Sequence, residues 1–355
     1  MEETNEGFWT EISTGEVLET ALPPEPLKKT RKHFSRLGLF FFLGAIIIII
    51  VQALTSVLVS YLRPDWLRDS DIALLLSVVP MYLLGMPALI ALVKIVPAAQ
   101  VERHSMKGGH FAVAALITFA IMYGSNFIGL MITNVIGQWK GSMVENEVAD
   151  LVGSLNIPLM FAYIVVIAPV MEEYVFRKLI VERAVRYGEG VAVVLSGLMF
   201  GLFHGNLNQF IYTFTLGAFL AFLYVKTGNL KITVALHAMV NFMGSIVAAT
   251  VTNLLDLDTL AEISERGLDN SAYMAYLMDN ALGLLVFFIY LIFFFGVTIA
   301  GGILLIVALA KRRIRFAPGE VVIPRGKRFR TVILNIGMLV YCIFWSVMIV
   351  IQLLL

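Results

Sequence analysis

One cysteine in 355 residues, Cys342, excludes an intrachain disulfide and a cysteine-built metal site. Charge is scarce as well. Asp, Glu, Lys and Arg make up 14% of the chain, where a soluble domain carries about a quarter. The net charge of +1 leaves no basic excess of the kind a nucleic-acid surface needs. Residues 1–27 are acidic, contain Pro23, Pro24 and Pro26, and lack an apolar h-region. The expectation there is a flexible tail rather than a signal peptide.

Apolar residues fill the rest. They make up 59% of the chain, and the mean hydropathy is +0.87. Repeated runs of about 20 apolar residues are long enough for helices to cross the hydrocarbon core. The composition therefore predicts an all-α polytopic membrane protein of about eight to nine transmembrane helices. Nine candidate spans fall at about 37–62, 72–95, 111–137, 157–178, 190–207, 208–226, 230–253, 281–310 and 331–354. The 25 Phe and 12 Tyr suit lipid-facing and interfacial positions. The chain divides into a tail and basic juxtamembrane segment (1–36), N-terminal helices (37–153), a central core (154–253) and C-terminal helices (254–355).

Lys and Arg mark the cytoplasmic side of membrane loops. Lys28, Lys29, Arg31, Lys32 and Arg36 precede the first span, and Lys94, Arg103 and Lys107 follow the second. Arg177, Lys178, Arg183 and Arg186 follow the fourth, Lys226 and Lys231 flank the turn after the sixth, and eight Lys or Arg crowd 311–330. The alternate loops are acidic, with Glu145, Glu147 and Asp150, then Asp256, Asp258, Glu262, Glu265 and Asp269. The alternation predicts a cytoplasmic N-terminus in a multi-pass protein of the cell membrane.

Ionised groups at bilayer depth cost at least a few kcal/mol each and persist where they pair or line a polar cavity. Met171-Glu172-Glu173-Tyr174-Val175-Phe176-Arg177 holds three of them within an apolar stretch. Glu173 and Arg177 are i,i+4 neighbours in the favourable order and can pair. Glu172 points about 100° away, which leaves it to face a cavity as a general base. A second motif, Phe200-Gly201-Leu202-Phe203-His204, follows the small-residue repeat Gly197, Gly201, Gly205, a helix-packing device. A third, His237-Ala238-Met239-Val240-Asn241, puts an imidazole and a carboxamide on one helical face. Those two could donate hydrogen bonds to an oxyanion. Gly188 lies midway between Glu172 and His204, so a hairpin turning there sets both about 24 Å from the turn. His237 lies about 13 Å from its own turn at Thr227-Gly228-Asn229, so the short fifth and sixth spans must tilt or break.

Taken in order, Glu-Glu-x-x-x-Arg, Phe-x-x-x-His and His-x-x-x-Asn resemble the CAAX protease and bacteriocin-processing family, which includes the type II CAAX prenyl endopeptidases and bacterial abortive-infection-like proteins. The resemblance covers about residues 155–250. It implies a glutamate-type intramembrane endopeptidase with a conical cavity open to the cytoplasm, acting on a peptide or protein substrate in the lipid bilayer without metal or other cofactor. Glu172 and His204 would activate water, His237 and Asn241 would stabilise the oxyanion, and Glu173, Arg177 and Phe200 would support the architecture. Two other readings use the same residues. One Glu and two His bind zinc with an open position, and a non-catalytic immunity or scaffold protein would keep the motifs for packing. A transporter is a further class, because intramembrane charge also marks ion pathways.

The loop charges predict that 311–330 is cytoplasmic and 254–279 outside. Cysteine-accessibility labelling in a Cys342→Ser background checks this. A cysteine at position 320 is expected to react from the cytoplasmic face, and labelling from the outer face alone reverses the assignment.

Overall fold

A computed structural model describes residues 26–142, 144, 154–255, 257–265 and 270–354. The tail up to residue 25, and Glu145, Glu147, Asp150, Asp256 and Asp269, lie outside the described residues. Among the described residues all regular structure is helical. Nine apolar helices carry the architecture: α1 (Leu27–Leu62), α2 (Ser70–Lys94), α3 (Gly108–Lys140), α4 (Ile157–Tyr187), α5 (Glu189–Phe203), α6 (Leu207–Thr227), α7 (Leu230–Thr252), α8 (Ala281–Ala310) and α9 (Ile336–Leu354). All but α5 are long and apolar enough to cross a membrane.

The fifth helix departs from its expected course over 190–207. It has 15 residues, about 22 Å of rise, short of a hydrocarbon core about 30 Å thick. Two local signals stop it. Gly205 adopts a left-handed φ of 70°, which a glycine takes without steric cost. Asn206 then caps α6, its side chain accepting from the Gln209 N–H at 2.9 Å. The polypeptide breaks at the level of His204 rather than continuing as a span.

α5 and α6 pack tightly along each other because their facing positions are small. A Cβ at Gly197 would lie 2.8 Å from the Phe214 carbonyl oxygen and 2.9 Å from the Ala218 Cβ. Without a hydrophobic driving force between helices in lipid, such close approach is what holds them together. α9 lies along α1, while α8 rests mainly on α3 and keeps most of its apolar surface outward.

The basic segments collect at one end of the bundle. The Ala99 N–H donates to the Glu182 carbonyl (2.6 Å), the His104 N–H to Thr227 (2.7 Å) and the Val321 N–H to Arg186 (3.0 Å). Arg31 at the start of α1 joins them, donating to the Leu334 carbonyl at 2.8 Å. At the other end the Asn156 N–H donates to Asp71 at 3.1 Å, and Lys140 to the Leu353 carbonyl at 3.0 Å. One further element belongs to the basic end. Between α8 and α9 the chain runs as a strap over the α4–α5 turn, where the Ala317 N–H donates to Glu189 at 2.7 Å and the Glu189 N–H to the Ala317 carbonyl at 3.2 Å. Val321 and Ile323 of this strap are each only 2% exposed.

Replacement of Gly197 by Ala is expected to destabilise the protein by about 1–3 kcal/mol through overpacking. Gly124, whose Cβ position has nothing within 4 Å, is the control. Gly124→Ala is expected to leave the melting temperature in detergent unchanged or slightly raised, and Gly197→Ala to lower it.

Candidate active site

α4 is not a uniform α-helix. Phe161–Ile167 and Tyr174–Val181 are π-helical and flank an α-helical stretch, Ala168–Glu173. Pro169 accounts for the first. It has no N–H to give the helix and its ring crowds the preceding turn. The Ala168 N–H reaches back to the Tyr163 carbonyl, so the Ile164 carbonyl loses its ordinary donor. Asn241 of α7 replaces it, donating from Nδ2 at 2.8 Å. This corrects the expectation that the carboxamide is simply aimed, with His237, at one open point. One of its two amide hydrogens is spent on α4 backbone.

Glu173 is fully buried and pairs with Arg177 at 2.9 Å, as the i,i+4 spacing predicts. The guanidinium is also fully buried. It donates to the Ser196 hydroxyl at 3.3 Å and lies over the Phe200 ring, 4.6 Å from its centroid. Ser196 in turn donates to the Phe176 carbonyl at 2.7 Å. The Glu173 oxygen that meets Arg177 also accepts from His237 Nδ1 at 2.9 Å. Glu172 Oε2 stands 3.7 Å from Nε2 of the same ring, just beyond hydrogen-bond reach.

The two carboxylates therefore do not serve separate places, as their divergence on the helix suggested. An imidazole carries a nitrogen on each side, so one ring bridges two directions about 100° apart. The neighbours differ in access: the Glu172 side chain is 23% exposed and the Glu173 side chain 0%. One is open and one is sealed.

His204 caps α5, and its Nδ1 donates to the Phe200 carbonyl at 2.8 Å. In the neutral ring that bond leaves Nε2 as the acceptor. Phe200 stands edge-on between the two imidazoles, 4.7 Å from His204 and 5.9 Å from His237. The structure thus gathers Glu172, Glu173, Arg177, Phe200 and His237, with His204 across the Phe200 ring. Asn241 sits one helical turn past His237 and is tied to α4.

The motifs did not contain everything near Glu172. Tyr82 of α2, Tyr163 of α4 and Tyr212 of α6 all lie close enough for its charge to act on them. The Tyr82 and Tyr163 rings meet at 6.2 Å and 61°, and the Tyr212 hydroxyl donates to Gln209 at 3.0 Å. Their signal in the sequence was only that of polar-tipped residues inside apolar spans.

These features define a polytopic helical membrane protein with a hydrogen-bonded charge cluster inside it, one carboxylate of which remains accessible. Residues 154–243 match the family model described as type II CAAX prenyl endopeptidase Rce1-like, in agreement with the resemblance of the three motifs. Among similar proteins, the membrane-embedded CAAX protease MroQ of Staphylococcus aureus (strain USA300) is 26% identical over 160 residues, 43% of this chain and 62% of that protein. The putative membrane peptidase YdiL of Bacillus subtilis (strain 168) is 25% identical over 127 residues, 35% of this chain and 50% of its own length. CAAX prenyl protease 2 of Homo sapiens is 37% identical over 100 residues, 22% of this chain and 30% of that protein. The chain thus spans less than two thirds of each of these relatives. No solved structure matches it.

The burial difference gives a test. Glu173→Gln is expected to cost about 3–5 kcal/mol, because it leaves Arg177 as an uncompensated buried charge. Glu172→Gln is expected to leave stability nearly unchanged. Melting temperature and the yield of folded protein after size exclusion read the difference, and equal losses overturn the division.

Proposed function

We propose that the protein is an intramembrane endopeptidase of the glutamate type, cleaving a peptide bond near the cytoplasmic membrane face. The observation that carries this reading is the accessible Glu172 beside an imidazole whose far nitrogen is fixed by the sealed Glu173. Glu172, with His204 Nε2, takes a proton from water, and the water oxygen attacks the scissile carbonyl carbon. The negative charge then developing on the carbonyl oxygen is met by the Nε2–H of His237 and the second amide hydrogen of Asn241. Collapse of the tetrahedral species breaks the C–N bond, and the proton held by Glu172 passes to the leaving amine.

The Glu173 contact constrains His237. It places a proton on Nδ1, so Nε2 donates only when the ring is protonated. The mechanism therefore needs Glu172 ionised and His237 charged.

Two of the relatives are named CAAX proteases, which supports a CAAX-type substrate; a small membrane-associated peptide is the alternative. The chain would act from the cell membrane with its N-terminus in the cytoplasm. A zinc enzyme would need Glu172, His204 and His237 on one ion, and among the described residues no three His, Cys, Asp or Glu are so gathered.

The test compares membrane-proximal peptide termini in cells carrying the wild type and Glu172→Gln. The variant is expected to accumulate uncleaved termini at equal protein level, and an unchanged pattern overturns the proteolytic reading in favour of a scaffold. With a cleaved peptide in hand, His237→Ala and Asn241→Ala are each expected to lower kcat on the order of 10²–10³-fold, with KM changing far less. A chelator is expected to leave the rate intact, and loss of activity with recovery on added zinc would establish the metalloprotease instead.

A further inference from the structure

At the basic end, away from Glu172, the start of α1, the loop after α2 and the end of α4 enclose a cavity of about 190 Å³. Lys29, Lys32 and Arg36 line it from α1, and Arg183 and Arg186 from α4. The single carboxylate in the lining, Glu182, is already engaged, accepting from Lys178 at 2.9 Å and from the Tyr224 hydroxyl at 3.0 Å. Five Lys or Arg side chains line one small space; beside the engaged Glu182 the other counter-charge is Glu320 of the strap, whose Oε2 lies 3.4 Å from Arg186 Nε.

The walls are built rather than incidental. Arg183 is buried and held by two backbone carbonyls, donating from Nε to Val93 at 2.8 Å and from Nη1 to Leu179 at 3.0 Å. His33 bonds the Arg183 carbonyl at 2.7 Å and packs on Tyr187, with ring centroids 5.1 Å apart. Lys32 and Arg36, by contrast, are exposed and make no ion pair or hydrogen bond among the described residues. Like charges gathered around a fixed cavity repel one another unless an anion enters. The volume suits a small group, since drug-sized ligands occupy roughly 300–1,000 Å³.

We propose that this cavity binds a phosphate group, supplied by the headgroup of an anionic lipid in the adjacent leaflet. Basic pockets between membrane helices are a recurring solution to headgroup recognition. The site stands apart from the catalytic proposal and does not depend on it.

Native mass spectrometry of the full chain, taken from phosphatidylcholine vesicles doped with phosphatidylglycerol, reads the bound lipid directly. Lys32→Glu with Arg36→Glu is expected to lower phosphatidylglycerol retention about tenfold or more. The matched reversal Arg325→Glu with Arg330→Glu, on the same end but outside the cavity, is expected to change it less than about twofold. Equal losses in the two pairs, or no loss in the first, overturn the proposal. Melting temperatures confirm that the variants fold, and Lys32→Gln with Arg36→Gln replaces the reversal if it does not. Displacement of the lipid by millimolar inorganic phosphate assigns the pocket to phosphate as such, whereas retention against it assigns the pocket to the intact headgroup.

Discussion

A fully buried carboxylate that serves two partners sets the arrangement of the central helices. Glu173 meets Arg177 of its own helix and His237 of α7 through a single oxygen, and Arg177 continues to Ser196 and Phe200 of α5. Removing charge from water into such a place is costly, and pairing with an opposite charge offsets that cost. α4, α5 and α7 must therefore meet in one register, because a shift of a single turn in any of them strands a charge. Apolar packing alone would tolerate several registers. The polar cluster selects one.

The same cluster explains how adjacent glutamates acquire different characters. Glu173 is spent inside the protein, while Glu172, on the next residue, retains access. The sealed residue orients the imidazole and the open one faces whatever enters. A duplicated carboxylate thus becomes two unlike groups through the position of the neighbouring helix, not through its own identity.

Much of the fold was legible in the sequence because lipid enforces it. Span length, the basic end and the Glu173–Arg177 pair follow from hydrocarbon thickness, loop charge and i,i+4 spacing. The break after His204 was only half legible: two short spans signalled a tilt or a break, and Gly205 with Asn206 made it a break. What escaped were relations between helices. Spacing gives directions on one helix but not the neighbour it meets, so the double use of His237 and the tyrosines around Glu172 were out of reach. Asn241 illustrates a second limit. Its partner is a carbonyl released by Pro169, and the π-helical turns on both sides of Glu172 shift the 3.6-residue count that such readings rely on.

The strap over the α4–α5 turn bears on how the chain is made. Glu189 is held by Ala317, 128 positions later, so the hairpin that carries the buried cluster is synthesised and inserted long before its clamp exists. Helices up to α7 can assemble as they emerge, but the bend between α4 and α5 stays uncovered until α8 has crossed and the strap folds back over it. A polypeptide stalled in α8 would already contain every member of the cluster and still lack the piece that locks it. Closure over this bend therefore depends on a segment that follows α8 in the chain.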